Sequence, residues 1–133
     1  MLRRLAIRAR VLAFLAVAPL LARLRPPALE RVLEPRRPRS ADARDPAVAA
    51  HVEAVLARAG RLAGASCLTR GVTRYYFLRR AGLPVTLCFG LGWLDGEMAG
   101  HCWLMQDGEP FREPRDPRDV FTETYRIPSA TAR

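Results

Sequence analysis

Cysteine and histidine are scarce in this chain of 133 residues, with three Cys and two His, and one of each stands where chemistry is possible. Cys67 follows Ser66, a residue able to cap a helix, so its thiol sits among the free amides of a helix start. The partial positive charge there favours an anion, draws the thiol towards thiolate and makes it a nucleophile. An unpaired Cys is as readily a small buried side chain, and only a partner base decides between the two. His51 lies on a helix, where packing or solvent explains it. His101 lies in the middle of a strand, between Gly100 and Cys102. Neighbours on a strand point to opposite faces, so His101 facing the helix that starts at Cys67 would turn Cys102 away. Cys88 and Cys102 are then packing residues. A zinc site from Cys88, His101 and Cys102 has the wrong spacing and facing, and no metal or cofactor is expected.

A thiolate–imidazole pair needs a third group to hold the ring. Asp107 lies six residues along an extended strand from His101, roughly 20 Å away, and is better explained as the turn residue before Gly108. If Gln106-Asp107-Gly108 is a three-residue loop, Met105 pairs with Glu109 and His101 lies opposite Glu113, about 5 Å away between Cβ atoms. A two-residue loop shifts the register, places Pro114 opposite His101 and leaves Asp116 as the acid. Two further residues flank the pair. Arg70, three residues after Cys67, can bind a substrate carbonyl or carboxylate, or pair with an acid to position the helix. Trp103 shares the strand face of His101 and is expected to pack beside its ring.

These residues must be positioned by an α+β fold, N-terminal helices followed by an antiparallel β-meander. Residues 1–25 read as one helix, with an apolar stretch from Val11 to Ala22 that Pro19 interrupts. Residues 26–45 form a Pro- and Arg-rich connector with a short helical turn at Ala28–Leu33. Asp45-Pro46 caps and opens a helix with Val48, Val52, Val55, Leu56 and Ala59 on one apolar face, ended by Gly60 and Gly64. The helix from Ser66 or Cys67 to about Arg80 stops at Gly82-Leu83-Pro84, with Leu68, Val72, Tyr75, Tyr76 and Leu78 on its buried side. Strands follow at Val85–Leu91, Met98–Gln106 and Glu109–Glu113, separated by the turns Asp95-Gly96 and Asp107-Gly108. The tail after Pro114 reads as irregular, with Val120, Phe121 and Tyr125 folded back onto the body. Residues 1–45 thus read as a basic helix and connector, and residues 46–133 as the domain that would carry the chemistry.

Charge separates the same two stretches. The net charge is +9, and every one of the 22 basic residues is Arg. Residues 1–45 carry 11 Arg against four acids, so the basic character is an N-terminal property. That points to a membrane-surface or partner contact by the first helix. Nucleic acid is not expected, because Phe14 is the single aromatic among those arginines. The charge order imitates a signal peptide, but Pro19 follows the cleavage-like Ala16-Val17-Ala18, and a retained helix is the reading. No apolar run reaches the roughly 18 residues of a membrane span. Three Cys without a CxxC pair suit a reducing, cytoplasmic setting.

Cys67-Leu68-Thr69-Arg70, the helix through Arg80-Ala81-Gly82, a strand, and then Gly100-His101-Cys102-Trp103 with its Asp107-Gly108 turn resemble the lasso-peptide maturation B protein. The likeness is to that family's C-terminal transglutaminase-like leader-peptidase domain and spans roughly residues 46–114. The family pattern is Cys-Leu-x-Arg, a helix ending in Arg-x-Gly, Ala-His-Ala-Trp, and an acid about a dozen residues later. Here Gly100 and Cys102 stand at the Ala positions, and Glu113 where the acid is normally Asp. The resemblance implies a transglutaminase-like, papain-like cysteine peptidase that removes the leader from a ribosomally made precursor peptide. It implies Cys67, His101 and Glu113 as the triad. It also implies two partners, a leader-recognition protein and an ATP-dependent lasso cyclase. This chain has no Gly-rich phosphate loop of its own. Other reactions open to the same residues are thiol acyl transfer and amide hydrolysis. A non-catalytic scaffold held by the basic helix is the reading without chemistry.

Overall fold

The computed structural model describes residues 1–36, 45–62 and 66–129. Among the described residues, four helices precede the sheet: α1 (Leu2–Leu21), α2 (Pro26–Leu33), α3 (Pro46–Leu62) and α4 (Cys67–Arg80). Helices α2, α3 and α4 each start for a local reason. Pro26 and Pro27 fill the first positions of α2, where no amide is needed. Asp45 accepts from the Val48 amide at 3.0 Å ahead of α3, and Ser66 accepts from the Thr69 amide at 3.2 Å ahead of α4. Gly82, at φ 87°, ends the turn after α4. The Gly64 stop proposed for α3 lies outside the described residues.

Four antiparallel strands follow: β1 (Val85–Leu94), β2 (Glu97–Gln106), β3 (Glu109–Pro110) and β4 (Phe121–Ile127). Asp95-Gly96 and Asp107-Gly108 are tight turns with left-handed φ at both residues, the geometry that matches strand twist. The sheet order is β3-β2-β1-β4. The chain is therefore α+β, but two details differ from a simple meander. The tail expected to be irregular forms β4 and returns to pair with β1. Its pairing shifts register between Phe89 and Gly90 of β1, so Phe121 and Glu123 lie on the His101 face while Tyr125 and Ile127 lie on the α4 face; that break, with Pro117 and Pro128 on either side, hides the strand. The third strand, expected over Glu109–Glu113, is two residues long, because Arg112 adopts φ 53° and turns the chain out of the ladder.

The main core lies between α4 and one sheet face, where Val72, Tyr75 and Leu78 meet Leu87, Cys102, Leu104 and Ile127. Gly71 lets α4 approach: a Cβ there would sit 2.7 Å from Cys102 Sγ. A second cluster joins Val11 and Leu15 of α1 to Val52, Val55 and Leu56 of α3. Helix α2 acts as a clasp. Its buried Glu30 accepts from Tyr125 Oη at 3.1 Å and from the Ser129 amide at 2.8 Å. Glu34 accepts from the Tyr75 hydroxyl and pairs with Arg79. Burial and that carboxylate together hold the Tyr75 hydroxyl protonated. Among the described residues, no helix is long and apolar enough to cross a membrane.

Candidate functional site

Cys67 is the first residue of α4, half-buried and outside any disulfide. Its place follows from the cap: Ser66 takes the Thr69 amide, while its backbone carbonyl takes the Arg70 amide at 3.0 Å. The amides of Cys67 and Leu68 have no partner among the described residues, so the helix start presents donors beside the sulfur.

His101 sits on β2, whose far side is largely open because β3 pairs only with Met105 and Gln106. The facing expected for His101 is reversed. Cys102 is the residue turned to α4, packed on Gly71, whereas His101 shares the opposite face with Trp103 and Phe121. The rings of His101 and Trp103 stack with centroids 5.9 Å apart, and the Phe121 ring lies 5.0 Å from the imidazole. Trp103 is fully buried and sits over Gly90, where a Cβ would come within 2.8 Å of its ring. It packs beside the imidazole.

Glu113 reaches His101, with Oε2 at 3.5 Å from Nε2. The route differs from the one counted along the strands. The hairpin has a two-residue turn, Gln106 pairs with Glu109, and the ladder ends at Pro110. That register disfavours Glu113, yet the left-handed Arg112 swings the chain so that the Glu113 carboxylate meets the ring. Asp116, the alternative acid, is engaged elsewhere: it caps the short helical turn Pro117–Asp119 and binds the Arg118 guanidinium at 2.7 Å. Asp107 is a turn residue.

Cys67, His101 and Glu113 come together on one cleft of about 460 Å³, lined also by Glu53, Arg70, Cys102 and Arg112. It lies at the open edge of β2, where groups from both sheet faces can meet. Glu113 is at Nε2, so Nδ1 is the ring nitrogen left to take a proton from a thiol. No hydrogen bond joins Cys67 to His101 among the described residues; such contacts are often long without substrate. The other thiols are inert by environment. Burial pushes Cys88 up to about 12, and burial, with the nearby Cys67 thiol adding to it, holds Cys102 protonated. Arg70 is exposed on the cleft and forms no ion pair among the described residues, so of its two expected roles the helix-positioning one is not seen. Arg74 fills that role instead, binding Glu53 of α3 at 2.8 Å. Sequence reasoning missed this pair, because two residues 21 apart on separate helices leave no local signal. No group of His, Cys, Asp and Glu among the described residues could hold a metal ion.

A nucleophile at a helix start, with imidazole and carboxylate delivered from an antiparallel sheet, can support thiol-dependent acyl chemistry. No curated protein and no solved structure matches the chain significantly. The family model described as transglutaminase-like superfamily matches residues 11–126, from α1 through β4, and the chain belongs to that superfamily, which includes cysteine peptidases and acyltransferases.

Proposed function

We propose that the protein is a cysteine peptidase that removes the leader from a ribosomally made precursor peptide in lasso-peptide biosynthesis. Its partners on this reading are a leader-recognition protein and an ATP-dependent cyclase. The observation that carries it is the shared cleft of Cys67, His101 and Glu113, with Glu113 at 3.5 Å from the imidazole. The resemblance around Cys67–Arg70 and His101–Trp103 supplies the substrate class.

In this mechanism His101 takes the Cys67 proton as the sulfur attacks the scissile carbonyl. The oxyanion is met by amides at the start of α4. The C–N bond then breaks, His101 returns the proton to the leaving amine, and the leader remains as a thioester on Cys67. His101 next deprotonates a water that releases the leader acid and restores the thiol. Glu113 orients the ring and stabilises the imidazolium. The N-terminal helix supports a peripheral role beside this one: α1 turns Leu2, Leu5, Leu12 and Leu20 to solvent next to Arg4 and Arg8.

The test pairs the purified protein and a candidate recognition partner with a candidate precursor peptide, read by mass spectrometry. Cleavage at one bond, abolished by Cys67→Ala with the fold retained, is expected. Persistence of cleavage in Cys67→Ala would sink the proposal. Addition of a primary amine separates the acyltransferase reading, since transfer adds the amine's mass where hydrolysis adds water.

A further inference from the structure

The cleft carries more positive charge than its own residues neutralise. Four arginines line it, Arg61 from α3, Arg70 and Arg74 from α4, and Arg112 from the segment after β3, against two carboxylates, Glu53 and Glu113. Both carboxylates are engaged: Glu53 binds Arg74 at 2.8 Å, and Glu113 faces His101 at 3.5 Å. Arg61, Arg70 and Arg112 are exposed and form no ion pair among the described residues. They come from three elements and line the same cleft as Cys67. Arg112 is held by its left-handed backbone and by the Phe111 ring, 5.5 Å below its guanidinium; Arg74 lies 5.6 Å from the same ring. Guanidinium groups so placed repel one another and match a carboxylate, which they bind in a fork.

We infer that the cleft selects polypeptide substrates with an acidic side chain close to the scissile bond, held by Arg70 and Arg112 with Arg61 at the rim. The inference rests on Cys67 being the nucleophile of the proposed peptidase. Arg70 and Arg112 are then substrate-binding residues that set specificity, while Cys67 and His101 perform the bond exchange.

The test needs no knowledge of the natural peptide. Two small alkylating reagents of nearly equal size, anionic iodoacetate and neutral iodoacetamide, are reacted with Cys67 of the full chain at low ionic strength. In each, the sulfur displaces iodide and forms one S–C bond. The ratio of the two rates, divided by the same ratio for N-acetylcysteine, is expected at about tenfold, the worth of one charge-assisted contact. It should fall towards one in Arg70→Gln/Arg112→Gln, and in the unmutated protein at 0.5 M salt, where the screening length shortens to about 4 Å. Arg8→Gln, on α1 and outside the cleft, should leave it unchanged. A ratio near one in the unmutated protein, or an equal fall in Arg8→Gln, overturns the inference and leaves the peptidase reading standing. Slow alkylation by both reagents removes the nucleophile and overturns both.

Discussion

Replacing Gly71 by Ala tests how the fold holds Cys67 in place. The new Cβ would lie 2.7 Å from Cys102 Sγ and 3.4 Å from Leu87 Cδ1. The first distance is about 1 Å inside normal contact, so α4 must lift or Cys102 must turn within a packed core. Overpacking of this kind costs about 1–3 kcal/mol, offset by up to about 1 kcal/mol of helix propensity. A net loss of about 1–2 kcal/mol lowers the melting temperature by about 4–8 °C in a chain of this size. Cys102→Ala alone removes one buried atom, a loss of about 1 kcal/mol. In the double variant the clash is gone, so the pair should be non-additive by at least about 1 kcal/mol. Chemical denaturation of the four proteins supplies the cycle. Leader cleavage should follow it more steeply, because a shift of about 1 Å in Cys67 costs on the order of a hundredfold, with recovery in the double variant. Gly71→Ala as stable as the parent, or losses that simply add, would refute the close approach of α4 to β2.

Two other consequences concern thiols and the α2 clasp. At pH 8, N-ethylmaleimide should label Cys67 alone, since Cys88, pushed up to about 12, and the buried Cys102 stay protonated; equal labelling of all three in the folded protein contradicts their burial. Both thiols and the Tyr75 hydroxyl hold protons that the unfolded chain releases. Unfolding therefore liberates protons, and stability should fall as pH rises from about 9 towards 12, more shallowly in Cys88→Ala. Glu30→Ala strips the acceptor from Tyr125 and the Ser129 amide, and should cost about 1–3 kcal/mol in denaturant midpoint. An unchanged midpoint would show that α2 does not clasp β4.

Much of this was legible locally. Ser66 and the Gly82-Leu83-Pro84 stop mark both ends of α4, and Asp95-Gly96 and Asp107-Gly108 mark the turns, because caps and left-handed turns depend on a few adjacent residues. What depends on distant packing was not. The face taken by His101 is decided by Gly71, whose lack of a side chain seats Cys102 under α4 and sends its neighbour to the other face. Strand β4 was hidden by its flanking prolines and by the register shift against β1 that breaks its alternation. The connector was read for its Pro and Arg content, while its Glu30 and Glu34 find their partners 95 and 41 residues away. Glu113 shows the limit most sharply. Strand counting reached it through a register the protein does not use; it meets His101 because Arg112 leaves the ladder.

The central claim is that Cys67 and His101 act as one unit in breaking a peptide bond. Its most direct measurement is the rate of leader cleavage by Cys67→Ala, His101→Ala and the double variant under identical conditions. Residues that act together lose nearly everything at the first substitution, so the double variant should be no slower than either single one. Losses that multiply, or measurable cleavage by Cys67→Ala, would contradict it.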